Sequence, residues 1–251
     1  MDVLYSYRDF GDSWDLRYSL RSRAANMASV GRVIVAGDPP EWLSDEVVKV
    51  VCPHPFRRKQ QNILFAITVA MEAAGVEGPC IYSSDDHFVM APCDADALPH
   101  FRRVGRYAEI PSESTYRSWN WPITPYRGSM AATRALLDAH GLATVNMSGH
   151  FDTVLDGRDL KDVLKIAGDY GSTEYGYEPS SLFLALAMRR EPFKTVAIGD
   201  RKLSQPLGMA DCGRYAADSG MFMSVDKSAR CGDFRAWMEV RFPEPSRWEK
   251  R

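Results

Sequence analysis

The sequence predicts an α/β fold, a mixed and mostly parallel sheet flanked by helices, on three observations. The first fifty residues run strand, helix, strand, strand. A second helix then leads into an apolar run that stops on two acids and a histidine, Asp85-Asp86-His87. No repeat, low-complexity segment or linker interrupts the 251 residues, so one domain over 1–251 is expected.

In order, Met1–Tyr7 is a short apolar-aromatic strand, and Arg8–Ser13 is the loop at its carboxyl end. Trp14, Leu16, Leu20 and Met27 recur at helical spacing, with Asp12 or Ser13 as the cap. Arg17 and Arg21 lie four apart on that helix. Val30–Ala36 reads as the second strand, broken by Gly37-Asp38-Pro39-Pro40, and Val47–Val51 as the third. Ile63, Ile67, Ala70, Met71 and Ala74 give a second helix with a basic first turn, Arg57-Arg58-Lys59. Those cations are either solvated surface charge, or Lys59 and Asn62 face a ligand phosphate or ribose.

Asp94–Trp121 has no clean period, and Tyr116, Arg117, Trp119 and Trp121 form either an acceptor-binding lip or a hydrophobic plug. Ser129–His140 is a helix capped by Ser129 and stopped by Gly141. Leu142–Gly149 is expected as a strand with His150 at its end. Helices over Asp159–Ala167 and Leu182–Met188, the latter capped by Ser180-Ser181, precede a strand at Phe193–Ile198. A Gly-rich polar segment and a helix at Asp233–Val240 follow.

Bulk composition narrows the function classes. The chain is 45% hydrophobic and 25% charged, as in ordinary globular proteins. A net charge of -2 supplies no bulk basic field for nucleic acid or acidic membrane. Five scattered cysteines lack zinc-ligand spacing and suit a reducing compartment. With no apolar stretch of bilayer length and no signal-peptide design at the start, a cytoplasmic location is expected.

GPCIYSSDDHFVMAP, residues 78–92, concentrates the chemistry. Asp85 and Asp86 at a strand end are either an acidic hairpin turn or hard oxygen ligands for a divalent cation, Mg²⁺ or Mn²⁺, against a diphosphate. His87 stands where a third ligand or a phosphate donor would be. Arg8, Arg17, Arg21 and Lys59 bring positive charge to the carboxyl edge of the sheet, where open α/β sheets bind ligands. An imidazole titrates near working pH, so His150 suits a general base for an acceptor hydroxyl.

Several blocks, in order along nearly the whole chain, carry a resemblance: MDVLYSY; DLRYSLRS with VGRVIVAGDPPEWLS; RRKQQNILFAI with IYSSDDHFVMAP; MSGHFDTVL; and MEVRFPEPSRWEK. The chain resembles the Stealth family of capsular-polysaccharide sugar-phosphate transferases, which share a GT-A-like nucleotide-sugar fold, and shorter glycosyltransferase-like relatives of tailed phages. The resemblance implies Asp85 and Asp86 at a metal, His150 as the catalytic histidine, and a nucleotide near Tyr5, Ser6, Tyr7 and Arg8. Asp38 and Lys59 would line the same cleft. Departures from the family pattern include Tyr7-Arg8 where a tryptophan is usual, and Tyr175-Gly176-Tyr177 where an arginine is expected.

With fewer cations for a migrating phosphate, the departures favour plain glycosyl transfer from a nucleotide-sugar donor. The acceptor would be a glycan or, in a phage, a hydroxymethylated base in DNA. Sugar-1-phosphate transfer is the alternative, and a silent nucleotide-sugar-binding module the third possibility.

Overall fold

The computed structural model describes residues 1–103, 108–190, 193, 195–198 and 202–250. The chain begins with β1 (Asp2–Tyr7), α1 (Trp14–Asn26), β2 (Met27–Ala28), β3 (Val33–Gly37) and β4 (Val47–Val51). It continues with α2 (Lys59–Ala74), β5 (Pro79–Ser83), β6 (His87–Val89), β7 (Cys93–Asp94) and β8 (His100–Arg103). Then come α3 (Glu113–Ser118), α4 (Pro125–Ala139), β9 (Thr153–Asp156), α5 (Leu160–Ala167) and α6 (Pro179–Arg190). β10 (Thr195–Ile198), β11 (Lys202–Leu203), α7 (Met209–Ser219), β12 (Phe222–Val225) and α8 (Gly232–Arg241) follow. Among the described residues, no helix is long and apolar enough to cross a membrane.

The central sheet has the order β4-β3-β1-β5-β9. Its first four strands are parallel, and β9 runs antiparallel to β5. The fold is therefore mixed α/β with a mainly parallel sheet, as the sequence predicts. Strands covered on both faces read as continuous apolar runs, and Val33–Gly37 is buried at every position. Alternation sorts the side chains by face. Leu4, Ile34 and Ala36 pack with Leu64, Ile67 and Met71 of α2. Val3, Tyr5, Val33 and Val35 pack with Leu16 and Leu20 of α1 on the other face.

From β1 the chain winds outward to β3 and β4, and α2 returns it to the opposite side of β1 as β5. The order reverses between β1 and β5, which opens a crevice at their carboxyl ends. A left-handed Gly75 (φ 61°) ends α2 and lets the chain turn back. Gly37 is required for a different reason. A Cβ there would lie 1.9 Å from the Tyr7 carbonyl oxygen, so only glycine lets β3 leave the sheet beside β1.

A smaller sheet, β11-β12-β6, packs with α7 and α8 around Phe88, Met223, Phe234 and Met238. β6 pairs with β12 and not with β5. The Asp85-Asp86 turn is thus a junction between two sheets and not the tip of a hairpin.

Several expected boundaries move. α4 starts at Pro125, with Thr124 accepting the Arg127 amide as its cap, while the Ser129 hydroxyl bonds back to Tyr126. No strand forms over 142–149. Val145 makes an isolated bridge to Glu109, and the strand comes later, as β9. At the head of α6 the cap is Glu178, whose carboxylate accepts the amides of Ser180 and Ser181.

Candidate active site

Two cavities meet over the carboxyl ends of β1 and β5. The smaller, about 320 Å³, is lined by Ser6, Tyr7, Arg8, Phe10, His54, Arg57, Asn62 and Asp85. The larger, about 460 Å³, is lined by Asp86, His87, Ser148, His150, Glu178 and Lys202, with Tyr126 and Tyr175 at its walls. Lys59, Ile63, Tyr82 and Ser84 belong to both. Tyr82 OH and Ser6 Oγ lie 3.1 Å apart at this junction. Adjacent Asp85 and Asp86 therefore serve different cavities.

Their electrostatics differ as well. Burial, then repulsion from Asp86, pushes the Asp85 carboxyl up to about 6, against the pull of Lys59. Burial also works against an ionised Asp86, but His87, Lys202 and Lys59 outweigh it and hold that carboxyl below the usual range. Lys202 Nζ lies 3.0 Å from Asp86 Oδ2, and His87 Nε2 lies 3.9 Å from Asp86 Oδ1.

Behind Asp86 runs a buried chain of charge. His87 Nδ1 lies 3.8 Å from Asp152 Oδ1, an electrostatic contact beyond hydrogen-bond length. Arg23, with 0% exposure, donates to Asp152 Oδ2 at 2.6 Å, to Tyr5 OH at 3.0 Å and to Ser83 Oγ at 3.0 Å. Burial opposes the charge on Asp152, yet Arg23 and His87 keep its carboxyl far below the usual range. Glu178 differs: burial raises its carboxyl despite the amide bonds it accepts.

Of the residues singled out in the sequence, Ser6, Tyr7, Arg8, Lys59, Asn62, Asp85, Asp86, His87 and His150 line the two cavities. The Asn62 amide is already used: it donates to the Phe56 and Arg58 carbonyls and accepts from the Phe56 amide, shaping the turn before α2. Asp38 stands at the rim, 3.2 Å from His54 Nε2. Three expectations need correction. Tyr5 is fully buried on the α1 face of β1, hydrogen-bonded to Ser19 and Arg23. Arg17 and Arg21 both pair with Glu249, and Arg21 lines a separate cavity of about 660 Å³ beside Arg241 and Trp248. Side chains at positions 17 and 21 project from the helix surface toward the C-terminal segment, away from the strand ends.

Arg23, Asp152, Glu178 and Lys202 are the residues sequence reasoning missed. Arg23 sits in a polar stretch, RSRAAN, that reads as a solvated face. Glu178 and Lys202 are far in sequence from the acid motif, with no local pattern to mark them. Asp152 lies inside the singled-out MSGHFDTVL block, where His150 draws the assignment instead.

The expected divalent cation can be tested against this donor set. Among the described residues, no group of three or more His, Cys, Asp or Glu side chains comes together to hold a metal ion. Asp86 already has an ammonium on one oxygen, and Asp85 turns to the other cavity. Among the described residues, no cation site is therefore built from protein side chains alone. A divalent ion held here would have Asp85 and Asp86 as its carboxylates and take its other ligands from substrate phosphates and water.

No protein-family model and no curated protein matches the chain. Among solved structures it is similar to a crystal structure of a glycosyltransferase involved in the glycosylation of the major capsid of PBCV-1. The likeness has 11% identity and a TM-score of 0.40, over 96% of this chain and 98% of that one. Resemblance at that level carries no functional argument. The cleft has to carry it.

Proposed function

We propose that the chain is a glycosyltransferase that moves a sugar from a nucleotide-sugar donor to an acceptor hydroxyl. The observation that carries this reading is the pair of cavities joined at Lys59, Tyr82 and Ser84, with one carboxylate of the acid pair in each. A two-substrate transfer needs two adjoining compartments and charged groups at their boundary.

In this reading the nucleotide occupies the smaller cavity. Phe10, 81% exposed at its mouth with the Arg8 guanidinium 5.5 Å over the ring, offers a face for the base. Arg57 and Lys59 provide cationic groups for the diphosphate. The sugar reaches the larger cavity, where the acceptor hydroxyl oxygen bonds to the anomeric carbon. The bond from that carbon to the diphosphate oxygen breaks with its electron pair, and the hydroxyl proton passes to His150. Lys59 and Lys202 supply positive charge for the leaving diphosphate. Asp86 holds Lys202 in place, and the buried Asp152–Arg23 pair holds His87 behind it.

The test is Asp86→Ala in a coupled assay for nucleoside diphosphate release. Loss of turnover with an intact fold supports the reading, and unchanged turnover removes Asp86 from it. Release of nucleoside monophosphate instead would identify sugar-phosphate transfer.

A further inference from the structure

Beyond the two joined cavities lies a third, about 210 Å³, lined by Tyr116, Trp121, Thr124, Tyr126, Arg127 and Asn146. Thr124 and Tyr126 also line the larger cavity, so the two spaces share a wall. Tyr126 OH is 3.0 Å from Ser148 Oγ, two residues before His150, which fixes the ring between the third cavity and the proposed base.

One polar group in this space is unexplained. Asn146 is 1% exposed, and its Oδ1 accepts the Ser148 amide at 3.1 Å, which fixes the orientation of the amide. Its Nδ2 has no hydrogen-bond partner among the described residues. A buried donor left unpaired is costly and calls for an acceptor. Around it are the rings of Tyr126 and Trp121, the latter with the Arg127 guanidinium 4.6 Å over it. Apolar rings beside a few convergent polar groups make a small-molecule site. A pyranose matches both parts, because its C–H face packs on an aromatic ring while its hydroxyl oxygens accept from an amide.

Resting on the glycosyltransferase reading, we infer that this third cavity is the acceptor subsite and that it takes a saccharide ring. A nucleic-acid acceptor fits less well. Rings also stack on bases, but strand binding draws on a row of phosphate contacts. Arg127 is the one cation among the described residues lining this cavity, and Glu113 neutralises nearby Arg117.

The experiment measures transfer and acceptor KM with a panel of hexose, N-acetylhexosamine and deoxyhexose pyranosides, plus a hydroxymethylcytosine oligonucleotide. It compares wild type with Asn146→Leu and Tyr126→Ala. The second variant removes an exposed ring and keeps the test valid if the first fails to fold. The inference predicts a saccharide acceptor whose KM rises about tenfold or more in either variant. The thermal shift given by the nucleoside diphosphate alone should stay unchanged. Donor-dependent transfer to the oligonucleotide, or saccharide transfer with unchanged acceptor KM in both variants, overturns the inference and leaves the transferase reading standing. Saccharide binding that needs Tyr126 in a protein no nucleotide sugar stabilises overturns the transferase reading and, with it, the acceptor role.

Discussion

Lys202 Nζ lies 3.0 Å from Asp86 Oδ2, a contact between the start of β11 and the turn that leads from β5 into β6, across 116 residues of sequence. It puts a fixed positive charge where an acid pair alone would invite a metal ion. Lys202→Met should therefore lower kcat by about 10²–10³, the usual worth of one preorganised electrostatic group. It also removes a cation that holds the Asp86 carboxyl down, so the acid limb of the pH–rate profile should move to higher pH. Normal kcat with an unmoved limb would make the contact a structural ion pair.

Asp85 yields a pH prediction of opposite sign. Its folded carboxyl is raised to about 6 from an ordinary 3.8. Between those values the folded state holds a proton the unfolded chain has lost, so this group's contribution to stability falls as pH rises through that window. Asp85→Asn should stabilise the protein by about 1–3 kcal/mol at pH 7.5 and by little at pH 4. Urea unfolding at the two pH values measures this, and equal effects at both would contradict it.

His150 lines the cavity between Asp86 and the aromatic wall. His150→Ala should leave donor affinity near normal and cut the rate by about 10²–10⁴, the range for a general base. Calorimetry of donor binding beside single-turnover rates separates the two. A lost donor affinity would make His150 a binding residue.

The arginines of α1 divide sharply. Arg23→Met leaves Asp152 buried without its cation and should cost about 3–5 kcal/mol in urea unfolding. Arg21→Ala leaves Glu249 with Arg17 as its remaining cation and loosens the C-terminal segment, yet nucleotide affinity should not change. A weakened nucleotide Kd in Arg21→Ala would return α1 to the site.

This division shows what the sequence makes legible. A fully buried strand such as Val33–Gly37 announces itself, because both faces are covered and the run is apolar. The acid motif, the basic start of α2 and His150 are visible through residue type and position. Helical periodicity places Arg17, Arg21 and Arg23 on one element, but tertiary partners decide their roles. Glu249 takes the first two, and Tyr5, Ser83 and Asp152 bury the third. Leu142–Gly149 misleads for a similar reason. Its apolar residues pack as irregular backbone, with Met147 bonded to the Ser181 hydroxyl in place of a strand neighbour. Lys202 meets Asp86 only because β11 joins β12, and β12 joins β6. No local pattern records that juxtaposition.

The measurement that tests the central claim most directly is a thermal-shift titration with uridine, guanosine, cytidine and thymidine sugars, each with EDTA and with Mn²⁺. A ligand that binds the native state raises Tm by mass action. The account predicts one donor that stabilises the protein equally under both conditions and loses its effect in Lys59→Ala. Stabilisation only with Mn²⁺ would return Asp85 and Asp86 to a metal site. No stabilisation by any nucleotide sugar would contradict the account.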